Sequence, residues 1–151
     1  MADEYRTEQY TKDKREQCVK LFYKVFNSEP FFFDWLKQDS IERYFTDMEN
    51  TPNFLSFILF KRNRIVGACF GQVIDYFMYP EYKINEFFIE PDMQYQGLGS
   101  RLLTDVEFMV FEKDVTWINL FTQANMPSFN FYKKHGYSTS PDTLQMVKPL
   151  R

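Results

Sequence analysis

Two of the chain's five glycines fall within three residues of each other, in the stretch IEPDMQYQGLGSRLL that begins at Ile89. Gly97 and Gly99 stand between an apolar run and an amphipathic one, in the order Gln94, Tyr95, Gln96, Gly97, Leu98, Gly99, Ser100. A glycine turn that enters a helix suits an anion. The first-turn N–H groups lack intrahelical partners, the helix dipole favours negative charge, and a missing Cβ lets a phosphate approach the backbone. The pattern here is Q-x-x-G-x-G. It lacks the third glycine of G-x-G-x-x-G and the lysine of G-x-x-x-x-G-K-[ST], so neither a dinucleotide fold nor an NTPase loop is supported. A helix start that needs glycine for close packing on a sheet stays open as the alternative.

The other reactive side chains are few. His135 is the only histidine. It lies in KKHGY beside a helix-ending glycine, where a cation favourable to the helix dipole is expected. The two cysteines, Cys18 and Cys69, sit in apolar-rich segments outside any Cys/His pattern. They are too few for a disulfide framework or a metal cluster, and they read as buried free thiols. No metal is expected, and a covalent cysteine route is disfavoured.

The elements that must position these residues follow from periodicity. Residues 11–27 carry Cys18, Val19, Phe22, Val25 and Phe26 at helical spacing, with Thr11 as N-cap and Asn27 as a stop. After an aromatic loop, a second helix is expected from about Ser40 to Met48, with Ile41, Tyr44, Phe45 and Met48 on one side. Residues 54–60 and 64–78 are rich in β-branched and aromatic types around KRNR, which predicts an antiparallel hairpin. Residues 84–89 predict a third strand in this region, ending before Pro91. A helical stripe follows (Leu98, Leu102, Leu103, Val106, Met109, Val110), then a strand over 116–121. Strand, helix, strand implies a parallel crossover. A short helix is expected from Pro127 to about His135, stopped by Gly136, and an edge strand over 143–148.

Composition narrows the function. The chain has 151 residues, is 44% hydrophobic and contains 18 Phe and 10 Tyr. That suffices for one well-filled domain, without repeats or linkers. The formal net charge is -3, which disfavours a general nucleic-acid binder. An anionic ligand must then be held by local backbone geometry. The charged N-terminus and the lack of a long apolar run predict no export and no membrane anchor, hence a cytoplasmic protein. Monomer and homodimer both stay open.

Residues 86–103, EFFIEPDMQYQGLGSRLL, resemble the central motif of the GNAT superfamily of acetyl-CoA-dependent N-acetyltransferases: an apolar strand, a Pro-containing turn, [Q/R]-x-x-G-x-[G/A], then an amphipathic helix. Residues 125–137, NMPSFNFYKKHGY, resemble the second family signature, an Asn followed by a helix ending in F-Y-x-x-x-G-[F/Y]. The departures are modest: Ser128 stands where Ala is frequent, and the first strand, over 5–9, is faint. The resemblance implies a single domain over 1–151 of the α/β (α+β) class. Its central sheet would be mixed and mostly antiparallel, with splayed parallel fourth and fifth strands, flanked by about four helices. It implies acetyl-CoA as co-substrate, its arm bonded by the backbone of Phe87, Phe88 and Ile89 and contacted by Asn125. N–H groups from Tyr95 to Ser100 would hold the pyrophosphate after Gln94, with Gln96, Gly97, Leu98 and Gly99 forming the turn.

The resemblance also distributes the chemistry. Tyr132 matches the family tyrosine near the thioester sulfur, as proton donor to the leaving thiolate or as a packing residue. Glu86 occupies a strand position from which a carboxylate reaches the amine, as base or as positioning group. A strand N–H near Phe88 would meet the oxyanion. The acceptor pocket is expected from the early helices and their loop, with Phe31, Phe32, Phe33 and Trp35 as apolar walls or core. Glu29, Asp34, Asp75 and Glu81 would supply negative charge. NSEP with the aromatics after it is similar to aminoglycoside 6'-acetyltransferase relatives. The leading expectation is direct acetyl transfer from acetyl-CoA to a small cationic amine, aminoglycoside- or polyamine-like. A protein lysine or N-terminal acetyltransferase and a non-catalytic acyl-CoA sensor remain the alternatives.

Overall fold

Strands alternate with helices because apolar periodicity switches between two and 3.6 residues along the chain. The computed structural model describes residues 3–29, 31–33, 37–76 and 79–151. Residues 1–121 and 122–151 form two compact units, and each is described by itself.

In the first unit a five-stranded sheet runs in the order β1 (Tyr5–Gln9), β2 (Phe57–Lys61), β3 (Arg64–Tyr76), β4 (Tyr79–Ile89), β5 (Trp117–Leu120). The first three pairings are antiparallel and β4 pairs β5 in parallel. The faint first strand is thus real. Strand β4 begins five residues earlier than its sequence pattern predicts, because long pairing with β3 carries it back through Pro80 to Tyr79. Pro80 still supplies its carbonyl to the Thr116 N–H, so the missing donor leaves this ladder intact. Part of the expected hairpin, Phe77 and Met78, lies outside the described residues.

Helices α1 (Arg15–Phe26) and α2 (Gln38–Glu49) cover one face, and α3 (Leu98–Phe111) packs on the sheet through Leu98, Leu102, Leu103, Val106 and Val110. The expected Thr11 start is a 3-10 turn over Lys12–Lys14, where the Lys14 N–H reaches the Thr11 carbonyl. Beneath α1 and α2 lies a box of rings. Phe22 meets Phe88 edge-on at 5.5 Å and Phe45 at 5.6 Å, Phe45 meets Phe70 at 5.0 Å, and Phe70 stacks on Phe88 at 6.1 Å. Such pairs add about 0.5–1.5 kcal/mol each beyond area burial. Cys18 and Cys69 are buried and free, and burial pushes both thiols up to about 12.

A β-bulge interrupts β4. Phe70 of β3 opposes Glu86, but the next residue, Gly71, opposes Ile84, so Asn85 is extra. One extra residue reverses the alternation of faces. Lys83, opposite Gln72, and Glu86, opposite Phe70, therefore share a face although they are three residues apart.

The second unit holds α4 (Pro127–Lys134), stopped by Gly136 at φ +87°. The expected edge strand over 143–148 is not formed. Leu144 and Met146 are 85% and 91% exposed and the segment has no ladder partner among the described residues, so apolar alternation alone does not make a strand there. Among the described residues no helix is long and apolar enough to cross a membrane.

Candidate functional site

The candidate residues of the first unit gather at the C-terminal half of β4 and the turn after it. Pairing with β5 covers only Glu81 to Ile84, which lie opposite Trp117 to Leu120. Beyond Ile84 that edge of β4 carries no β5 ladder, which is the splay expected of the fourth and fifth strands. The Glu90 N–H bonds the Val66 carbonyl at 2.8 Å. Backbone groups alternate direction along a strand, so Phe88 also faces β3, and a Cβ built on Gly67 would lie 3.2 Å from its carbonyl. Phe87 and Ile89 face the opposite edge. The N–H of Phe88, expected to serve a ligand or an oxyanion, is thus directed into the sheet, and its ring belongs to the core.

The turn after β4 is built from unusual backbone. Gln94 donates its side-chain amide to the Ile89 carbonyl at 3.0 Å, so its role here is to hold the strand end. Tyr95 has φ +63° and is 96% exposed, and Gly97 caps α3 at φ +79°. The first intrahelical bond runs from the Arg101 N–H to the Gly97 carbonyl at 3.0 Å, so the N–H groups of Leu98, Gly99 and Ser100 precede the ladder. A Cβ placed on Gly97 would meet nothing within 4 Å. The packing alternative for this glycine therefore fails: it supplies a left-handed cap and leaves the space above it open. The guanidinium of Arg101 is engaged away from the turn, on Asp3 at 2.6 Å, Asp105 at 2.9 Å and the Tyr5 carbonyl at 3.2 Å.

Glu86 points to the α1–α2 face. Tyr44 of α2 donates its hydroxyl to Glu86 Oε1 at 2.7 Å. Burial beside the aromatic box pushes the Glu86 carboxyl up to about 7, while the Tyr44 bond pulls it back down. The Tyr44 phenol is itself raised, first by burial and then by the Glu86 charge, which keeps it a donor. Sequence reading assigned Tyr44 only to a helix stripe. Nothing in the spacing of that stripe marks it, because its partner lies on a strand 42 residues away.

Other acceptor-side expectations separate. Phe31 packs on Phe26 at 4.6 Å and on Phe33 at 5.8 Å, so both rings join the core margin, whereas Phe32 is exposed at φ +49°. Glu29 and Asp75 are exposed, and Glu81 accepts a bond from Asn119 at 2.5 Å. Asp34 and Trp35 lie outside the described residues.

In the second unit Asn125 sits exposed in the turn before α4, where the Thr122 and Ser128 hydroxyls meet at 2.7 Å. Tyr132 is 7% exposed, with Phe131 at 5.2 Å and Tyr137 at 5.4 Å from its ring. His135 caps α4, its N–H on the Tyr132 carbonyl and its ring 4.8 Å from Phe131, as a cap residue would be placed. Among the described residues no group of His, Cys, Asp and Glu is arranged to hold a metal ion.

The sequence profile of the acetyltransferase (GNAT) family matches residues 20–137. The chain belongs to this family. Solved GNAT-fold structures agree along nearly the whole length. An aminoglycoside acetyltransferase, meta-AAC0020, from an uncultured soil metagenomic sample in complex with trehalose, is 22% identical, with 97% of each chain covered and a TM-score of 0.73. AAC(6')-Iy in complex with the bisubstrate analog CoA-S-monomethyl-acetylneamine is 15% identical, covering 96% of this chain and 98% of its own, at 0.72. A GNAT family acetyltransferase of Staphylococcus aureus is 18% identical, covering 97% and 98%, at 0.71. At these identities the likeness is one of fold. No curated protein sequence matches the chain.

Proposed function

We propose that this GNAT chain transfers an acetyl group from acetyl-CoA to a primary amine of a small cationic acceptor, aminoglycoside- or polyamine-like, by direct attack within a ternary complex. The observation that carries this reading is the half-open edge of β4 running into an open, left-handed Gly97 at a helix start. An extended arm with amides can add to the edge faced by Phe87 and Ile89, while a pyrophosphate meets the turn of Gln96, Gly97, Leu98, Gly99 and Ser100. Gln94 and Tyr95 shape that turn, and Asn125 contacts the arm by family analogy. Two solved neighbours are described as aminoglycoside acetyltransferases or carry a CoA bisubstrate, which supports the acceptor class.

The chemistry then divides simply. The amine nitrogen attacks the thioester carbonyl, its excess proton passes to the Glu86 carboxylate, and the departing thiolate takes a proton from the Tyr132 hydroxyl. Glu86 suits the first role because a carboxyl held near neutrality is matched to proton transfer at physiological pH.

Thiol release from acetyl-CoA, followed with a polyamine, an aminoglycoside, a lysine peptide and no acceptor, tests the reading. Release driven by the small cationic amines is expected. Release with the peptide alone would make the chain a protein acetyltransferase. Binding of acetyl-CoA without any transfer would make it a sensor. Tyr132→Phe is expected to lower turnover about tenfold or more with CoA affinity little changed, and unchanged turnover would return Tyr132 to a packing role.

A further inference from the structure

Glu86 is a carboxylate with a dedicated partner supplied from 42 residues away. The Tyr44 hydroxyl reaches Oε1 at 2.7 Å. Among the described residues no hydrogen bond is made to Oε2. The Tyr44 ring is fixed in turn, with Phe22 of α1 edge-on at 6.1 Å. We propose that Tyr44 is the positioning residue of the transfer site: it locks the Glu86 carboxylate through Oε1, so that Oε2 alone is presented to the acceptor ammonium. This inference rests on the proton-accepting role given to Glu86 above.

Three physical consequences follow from the one bond. A carboxylate on a strand has several rotamers, and a donor on a helix across the interface selects one of them. While the Tyr44 hydroxyl donates to Oε1 it occupies that oxygen, so a proton arriving at Glu86 goes to Oε2 unless the phenol turns round to accept instead. The bond also favours the ionised carboxylate, offsetting part of the burial that disfavours it. The groups around Glu86 leave this task to Tyr44. Strand β3 places Phe70 opposite, α1 brings Phe22 and Phe26 against Phe88, and Lys83 shares the face with its ammonium over the Phe121 ring at 5.0 Å. Glu90, just after β4, is already paired with Lys24 of α1 and with Arg64 of β3, and Glu81 with Asn119 of β5.

The test is Tyr44→Phe, which keeps the ring and removes the hydroxyl. In the free protein, carboxyl NMR of Glu86 should show its midpoint rise by about one pH unit. The acid limb of kcat/KM should move up with it. At pH 6.5 kcat/KM should fall about tenfold, with a smaller loss at pH 9 and unchanged CoA affinity. A purely structural Tyr44 would lower the unfolding temperature and leave both midpoint and limb in place, which overturns the proposal. If the midpoint rises but the rate limb does not follow, Tyr44 still governs the carboxylate and the proton-accepting role of Glu86 is what fails. Fluorotyrosine at position 44 preserves the packing and gives the opposite sign. As a stronger donor it should lower the midpoint, and no downward shift overturns the proposal even where the Phe variant folds poorly.

Discussion

The two halves of β4 have the same strand geometry and opposite circumstances. From Tyr79 to Ile84 the strand runs beside β3, and over Glu81 to Ile84 beside β5 as well. Tyr82 is fully buried there, its hydroxyl on the Leu55 carbonyl at 2.7 Å. After the bulge at Asn85, the strand keeps β3 but has no β5 ladder, and its α1–α2 face sets the titratable carboxylate of Glu86 beside the core ring of Phe88. Saturated hydrogen bonding makes the first half a fixture. The second half keeps an edge that another extended chain can complete, and edges of that kind are avoided unless they are used.

Substitution should expose this contrast most sharply at the glycines. A Cβ at Gly71 would stand 2.4 Å from the Lys83 carbonyl and 2.6 Å from the Tyr82 ring. Gly71→Ala is therefore expected to cost roughly 3 kcal/mol or more, read by denaturant unfolding. A near-neutral result would show that the doubly paired half can yield, and would weaken the contrast. Glu86→Gln acts on the other half. It should lower kcat/KM about 100-fold near neutral pH with CoA binding nearly intact, and the loss should shrink at high pH, where free amine needs no base. Equal rates at every pH would leave the half-open segment without a chemical role. Gly97→Val puts a branched side chain into open space in a left-handed conformation. The expected result is a CoA dissociation constant raised about tenfold, by calorimetry, in a protein that still folds.

The smallest effect concerns stability. The Glu86 carboxyl sits near 7 in the fold against an ordinary 4.5. The folded state therefore holds a proton more tightly than the unfolded chain. That contribution is complete below about pH 4.5, is lost as pH rises, and is gone above about 7. Glu86→Gln escapes the loss, so relative to the parent it should be more stable at pH 8 by about 1 kcal/mol after screening, with no difference at pH 4. Equal unfolding free energies at both pH values would mean that the carboxylate is better solvated than its surroundings suggest.

Local features of this site were readable in sequence, and long-range ones were not. QYQGLG announced the turn because a glycine pair before a helical stripe has a local cause. The start of β4 lies outside the strand pattern over 84–89 because the pairing that extends it back to Tyr79 comes from β3, not from its own segment. The pairing of Tyr44 with Glu86 requires α2 to lie over β4, and no spacing within either segment encodes that. The same limit explains residues 143–148. Their alternation is strand-like, but a strand exists only where a partner does, and within the described residues none is offered.

Asn85 carries a lesson for comparing relatives of this chain. Because it is the extra residue that sets which side chains share a face, the site depends on a count as well as on residue types. A homologue with every residue type kept and this single position gapped would score as nearly unchanged in an alignment. Its Lys83 and Glu86 equivalents, then two residues apart in a regular strand opposite Gln72 and Phe70, would still share a face. A gap at this point is therefore compatible with a shared site, whereas a one-residue gap elsewhere in the strand would turn the side chains beyond it to the other face.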